Sequence, residues 1–233
     1  VEEIFVMSDL SFRHRPPELA SEELESLALH YHVAVVDARA SVSEYARRHL
    51  LRSLYAPLSP PLFSTVVPKL VPSTAAVALV VERRAVDASF ETLRAAGHRR
   101  FAGWARPEAL DACRSDLLGR FDVLDLEEAR RDARQGGLAL VDVRDSAEVA
   151  KAPLEAAKNM VLGRLLARRA TPRVDETLAL YSPHGLRAAV AAAWLRRDGY
   201  RVSWVQPPRE AAKAPGKRAG LAHRSLAAAV AQQ

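Results

Sequence analysis

Short, continuous apolar runs alternate along the chain with longer stretches in which polar and apolar positions mix. The runs are Val33 to Val36, Val77 to Val81, Leu138 to Val143 and Leu178 to Tyr181. Runs this short and apolar on both faces predict strands of a parallel sheet covered by helices on both sides, since a sheet with one wet face would alternate instead. Helices are predicted from Ser21-Glu22-Glu23-Leu24, over Phe90 to Ala96, from Asp125 onward, and over Ala188 to Arg197. Asp125-Leu126-Glu127-Glu128 has the spacing of a capping box, with Asp125 accepting from the first turn and Glu128 reaching back. The expected fold class is α/β, built as small parallel sheets with helices on both faces.

The pattern occurs twice. Val35-Val36-Asp37-Ala38-Arg39 is echoed by Leu140-Val141-Asp142-Val143-Arg144, about 105 residues later. Glu44-Tyr45 then matches Glu148-Val149, Ser53 matches Ala157, and Leu93 to Gly97 matches Leu195 to Gly199. An offset that drifts by only a few residues reads as a duplicated domain rather than a short-period solenoid. The expected division is a first domain over 15–107, a linker over 108–120 with a short helix, a second domain over 121–210, and a tail over 211–233. In the tail, Leu221 to Val230 has the composition of a helix.

Composition narrows the class without naming a chemistry. Hydrophobic residues make up 49% and charged residues 27% of the 233, as in an ordinary folded chain. No apolar stretch approaches the roughly 20 residues that a membrane-spanning helix needs. Val1 to Leu10 carries Glu2 and Glu3 where a secretory signal carries positive charge, so a cytoplasmic location is the expectation. The lone Cys113 excludes an internal disulfide framework. The formal charge of +6 is spread as scattered Arg-Arg pairs rather than an aromatic-interleaved stripe, which argues against a nucleic-acid site and for a solvated basic surface.

Ligands of α/β sheets bind at the carboxyl ends of strands, where helix N-termini offer free N–H groups. The segment after Leu178 to Tyr181 is Ser182-Pro183-His184-Gly185-Leu186-Arg187, followed at once by an Ala-rich helix. Gly185 supplies the backbone freedom for a tight loop, its N–H groups can converge on an anion, and Arg187 adds positive charge.

Asp142-Val143-Arg144, Glu148, Asn159 and this loop together resemble the second half of a rhodanese. The resemblance implies an Asp-x-Arg corner with Glu four residues on, a Gly-His pair, and an active loop Cys-x-x-Gly-x-Arg. Asp142, Arg144, Glu148, Gly185 and Arg187 match, whereas the Gly-His pair is Ala152-Pro153 and the cysteine position is Ser182. The first half keeps Asp37, Arg39 and, one residue late, Glu44. It has His49 at the Gly-His position and neither Cys nor Gly in its loop, around Val80 to Arg84. In two-domain rhodaneses the family implies a silent first half and a persulfide on the second. Related phosphatases use a longer loop, with five residues between Cys and Arg, whereas four separate Ser182 from Arg187.

Persulfide transfer needs a thiolate, and a cysteine with a free pKa of about 8.5 supplies one readily in an electropositive loop. A serine hydroxyl needs a general base even for acyl transfer and cannot carry out reversible S–S exchange. Three functions follow. One is a sulfurtransferase homologue that is inactive as given and binds a small sulfur-containing anion, or a protein sulfur donor or acceptor, at Ser182 to Arg187. Another is an active thiosulfate or 3-mercaptopyruvate sulfurtransferase whose cysteine was replaced by Ser182. The last is a structural or regulatory tandem module. No cofactor, nucleic-acid or membrane partner is expected.

Quieter readings apply elsewhere. Asp142 and Arg144 are expected to organise the sheet end, with Arg144 paired to Glu148, and His184 to face solvent. Cys113 reads as structural, Trp104, Trp194 and Trp204 as core, and His30-Tyr31-His32 has no partners at metal-ligand spacing.

Overall fold

The computed structural model describes residues 15–29, 32–59, 61–168, 172–173 and 175–207. The tail over 211–233, and with it the helix expected at Leu221 to Val230, lies outside the described residues, as do His30 and Tyr31. Among the described residues no group of side chains is arranged to hold a metal. None of their helices is long and apolar enough to cross a membrane.

In chain order the first half carries α1 (Ser21–Leu29), β1 (Val33–Asp37), α2 (Val42–Arg47), β2 (His49–Leu50), β3 (Leu54–Tyr55), α3 (Leu62–Leu70), β4 (Ala76–Val80), α4 (Val86–Ala95) and β5 (Phe101–Ala105). The connector holds α5 (Ala109–Ala112) and β6 (Leu118–Gly119). The second half follows with β7 (Asp122–Leu124), α6 (Leu126–Arg134), β8 (Ala139–Asp142), α7 (Ser146–Lys151), β9 (Ala157–Asn159), α8 (Leu162–Leu166), β10 (Thr177–Tyr181), α9 (Leu186–Arg197) and β11 (Arg201–Val205).

Both main sheets are parallel, ordered β3-β1-β4-β5 and β7-β11-β10-β8-β9. A parallel bridge from Glu18 to Trp104 adds a rudimentary fifth member beside β5. With it, both sheets have the same order and connectivity, so the duplication read from sequence is one of topology too.

Each sheet is covered on both faces. In the first, Val36, Val77 and Leu79 face α3 and α4 through Val67, Leu70 and Phe90, while Val35, Ala78 and Val80 face α1 and α5 through Leu24 and Leu110. In the second, Leu140 and Ala179 pack on Ala129 of α6, and Val141, Leu178 and Leu180 pack towards α8 and α9. One cluster runs through both halves, from Tyr55 and Phe63 to Leu180 and Val190. Its bridge is α9, whose Ala188 to Ala193 and Leu195 are all buried and which touches β3 and α2 of the first half as well as β10 and β11 of its own. A helix apolar on nearly every side belongs between two layers.

The connector is pinned to the first half rather than free. β6 pairs antiparallel with β2, Leu118 opposite Leu50 and Gly119 opposite His49. A Cβ on Gly119 would lie 2.9 Å from His49 Nε2 and from a Leu51 methyl, so the two side chains pack into the space that glycine leaves open.

Helix starts follow local chemistry. The Asp125 side chain accepts from the Glu128 N–H at 2.7 Å, as the capping spacing predicts. α4 begins at Val86, four residues before the predicted Phe90. The two expected core tryptophans Trp104 and Trp204 are buried, whereas Trp194 is only partly so and carries the Arg168 guanidinium over its ring.

Candidate functional site

The carboxyl end of β8 turns through Asp142-Val143-Arg144, and the Arg144 side chain folds back onto Asp142. Its Nε donates to both carboxylate oxygens at 3.0 and 2.9 Å, its Nη2 to Oδ2 at 2.5 Å, and its own backbone N–H to Oδ1 at 3.0 Å. Nη2 also donates to the Ala152 carbonyl at the end of α7. Both members are nearly excluded from solvent. The hydrogen bonds to Asp142 raise the Arg144 pKa above the usual guanidinium range. Asn159 completes the corner, its amide donating to the carbonyls of Asp142 and Arg144.

The pairing expected between Arg144 and Glu148 is therefore not the one formed. Glu148 instead accepts two bonds from Arg187, at 2.5 and 2.8 Å, and a third from the Asp145 N–H at the start of α7. Arg144 is too close to Asp142 along the chain to reach past it, whereas Arg187 projects from the first turn of α9 towards α7. The Arg187 hydrogen bonds hold the Glu148 carboxyl down at about 2. Asp145 adds a longer contact to Arg187, at 3.7 Å. The guanidinium is thus neutralised by Glu148 rather than left as a free charge for an incoming anion.

Ser182 follows directly on β10 and is 2% exposed. Its Oγ accepts from the Ala188 N–H in the first turn of α9 at 3.1 Å, and its carbonyl accepts from the Gly185 N–H at 3.0 Å, closing the loop. Gly185 has φ 71°, a left-handed conformation, and its carbonyl accepts from the Trp204 indole at 3.1 Å. A Cβ there would lie 2.7 Å from the Trp204 ring, so both the turn and the packing require glycine. Pro183 and Leu186 are partly buried, and His184 is exposed.

At the start of α9 the Ala188 N–H is taken by Ser182 Oγ and the Ala189 N–H by the Gly185 carbonyl, which fixes the loop on the helix. Among the described residues nothing placed around Ser182 serves as a base: Asp142 is saturated by Arg144, Glu148 is too weak a base with a pKa of about 2, and His184 faces water.

Solved structures similar to this chain include three from microbes. A rhodanese-related protein from Thermoplasma volcanium is 17% identical, with 40% of this chain and 90% of that one covered and a TM-score of 0.35. A thiosulfate sulfurtransferase from Pseudomonas aeruginosa is 20% identical over 84% of this chain and 44% of its own length, with a TM-score of 0.36. A 3-mercaptopyruvate sulfotransferase from Escherichia coli is 15% identical over 82% of this chain and 98% of its own, with a TM-score of 0.35. No protein-family model matches the chain, and a comparison with curated proteins finds no match.

The corner of the second half is rebuilt in the first. Arg39 donates through Nε and Nη2 to Asp37, through its backbone N–H to Asp37 Oδ1, and through Nη2 to the carbonyl of Arg48 at the end of α2. The Tyr55 hydroxyl bonds the Arg39 carbonyl, where the second half uses Asn159 on Arg144. Asp37 is in register with Val80, as Asp142 is with Tyr181, so the position of Ser182 is held by Val81. Val81 is fully buried, and a 3-10 turn over Arg83–Ala85 replaces the loop. The expected loop at Val80 to Arg84 is therefore half strand end and half turn.

His49 is the residue whose surroundings sequence reasoning missed. It is buried, stacked on Tyr45 at 4.4 Å and tilted against Phe121, with Nδ1 at 2.8 Å from the Tyr45 carbonyl. Burial pulls its pKa down to about 4. Its pairing with the connector gave no local signal. Cys113 is buried in the connector, its thiol pushed up by burial and by the nearby Glu25 and Glu22, which suits a structural thiol and not a reactive one.

Proposed function

We propose that this chain is a rhodanese-type sulfurtransferase homologue whose second half keeps the anion-binding loop, Ser182 to Arg187, without the atom that carries sulfur. The observation that carries the reading is the seat of Ser182. Its hydroxyl is buried at the end of β10, held by the Ala188 N–H, at the position the family pattern gives to cysteine. A thiolate there would receive the same N–H and the field of the α9 N-terminus, which favours the anion. A hydroxyl with no base beside it stays neutral. The occupant proposed for the loop is a small sulfur-containing oxyanion or the donor group of a protein partner. Asp142, Arg144, Glu148 and Arg187 hold the loop in shape.

A second reading is an active thiosulfate or 3-mercaptopyruvate sulfurtransferase in which Ser182 stands where a cysteine was replaced. The preserved loop favours it, since Gly185 keeps its left-handed turn against Trp204 and Arg187 keeps its carboxylate partner.

The test is Ser182→Cys beside the chain as given, each incubated with thiosulfate and weighed intact. The thiolate attacks the outer sulfur, sulfite leaves with the electron pair of the broken S–S bond, and the protein gains one sulfur, which cyanide then removes as thiocyanate. Gain and transfer by the cysteine variant alone supports the proposal. A variant that stays bare shows that the loop has lost sulfur chemistry altogether, and sulfur transfer by the serine chain itself overturns the reading.

A further inference from the structure

Each half closes on the same turn, from α4 to β5 in the first and from α9 to β11 in the second. Both turns pass through a glycine with positive φ, Gly97 at 96° and Gly199 at 90°. The residue after it donates its N–H back to the helix, His98 to the Leu93 carbonyl at 3.0 Å and Tyr200 to the Leu195 carbonyl at 3.1 Å. The side chains then part. The Tyr200 hydroxyl reaches the Pro172 carbonyl at 3.4 Å, on the segment that leads into β10. In the first half the tie to the corresponding segment, before β4, is made by Arg100, whose Nη1 donates to the Thr74 carbonyl at 3.2 Å. The His98 ring is 1% exposed, and neither of its nitrogens has a hydrogen-bond partner. Whichever nitrogen carries the proton, a donor and an acceptor have both left water without replacement.

A second proton makes the position worse. The titratable and charged groups around the turn are His32 before β1, Lys69 in the last turn of α3, Glu91 and Arg94 on α4, and Arg99 and Arg100 before β5. Leu70 to Val80, the stretch that receives the turn, holds no titratable side chain. Burial first, and the Arg99 charge after it, hold the His98 pKa below the usual imidazole value of 6.5. The open turn therefore binds a proton that the closed turn refuses. Its stability is complete above the unfolded value of 6.5 and falls as pH drops below it.

We propose that His98 is an acid-sensitive latch of the first half: in a mildly acidic medium its buried ring takes up a proton by leaving the core, and the α4–β5 turn opens while the matching turn of the second half stays closed. The Ser182 loop, on the second sheet, keeps its shape through that opening.

The test is amide hydrogen exchange on the full chain at pH 7 and pH 5, each site corrected for its intrinsic rate. Protection at Gly97 and His98 is read as a ratio to protection at Gly199 and Tyr200, the same sites of the second turn. The ratio is expected to fall about tenfold at pH 5, within the roughly thirtyfold limit that an unfolded pKa near 6.5 sets there. His98→Tyr, which copies the second half, and independently His98→Gln each hold the ratio constant. Equal falls at both turns mean a loss of global stability, that from His49 included, and overturn the latch. A ratio that falls in both variants assigns the proton to another group and also overturns it, as does a constant ratio in the parent chain. Should the larger tyrosine ring not fit, His98→Gln carries the same test.

Discussion

The two sheet ends of this molecule are the same corner put to different use. In both, an arginine two residues after a strand-end aspartate folds back on it and ties the carbonyl at the end of the next helix. They diverge at the neighbouring strand. The second half has Ser182 followed by a glycine loop and Arg187, while the first has Val81, a 3-10 turn, and Val86 at the place of Arg187. Glu148 consequently has an arginine across from it, whereas the residue at the place of that arginine in the first half, Val86, is buried and apolar. The difference separates scaffold from site. Asp-x-Arg persists where no loop needs it, so it belongs to the fold, and the loop with its Glu148–Arg187 tie is what the second half alone has.

The largest expected contrast is between Ser182→Cys and Val81→Cys. After thiosulfate, intact mass is expected to show one added sulfur on the former and none on the latter, because Val81 lies sealed in the core with no loop N–H groups ahead of it. Sulfur on both would mean that the first half is a site after all. Next come Arg39→Ala and Arg144→Ala, each of which strands a buried aspartate. Both are expected to lose about 3–5 kcal/mol in urea denaturation. A loss much smaller at Arg39 would break the structural equivalence of the corners.

A third contrast uses pH. His49 has no imidazole counterpart in the second half, where Pro153 follows Ala152. Its folded pKa of about 4 lies below the unfolded value of 6.5, so the unfolded chain binds the extra proton between these values. Stability is therefore full above pH 6.5 and falls as pH drops towards 4, by about 2–3 kcal/mol. Denaturation at stepped pH should show that slope flattened in His49→Phe. The smallest effect is Glu148→Gln, which leaves a partly exposed Arg187 with only its longer contact to Asp145 and should cost about 1 kcal/mol by thermal melting. Its pH signature has the opposite group but the same direction: the carboxylate's contribution is present above the usual range near 4.5 and is lost as pH falls towards 2.

Much of this was legible in the sequence because it is local. The strand runs, the cap at Asp125 and the repeat of Asp-x-Arg each depend on residues a few positions apart, and the offset of the repeat survives as a shared strand order. The partner of Glu148 was not legible. Arg144 and Arg187 are both arginines within plausible reach, and only the backbone path, which turns Arg144 back on Asp142, decides between them. His49 was hidden for the same kind of reason, since its neighbours Gly119 and Phe121 lie some seventy residues on. The bridging role of α9 had a signal that a linear reading by halves passes over: Ala188 to Ala193 offers no polar face.

That helix also sets a timetable. The first half is synthesised before it, yet β3 and α2 make a share of their core with residues that follow Leu186. Until α9 has left the ribosome, the apolar surface around Tyr55 lacks the part of its cover that this helix supplies, and closing it joins segments more than a hundred residues apart. The halves repeat each other in pattern, but they finish folding together, and the last helix of the described residues decides when.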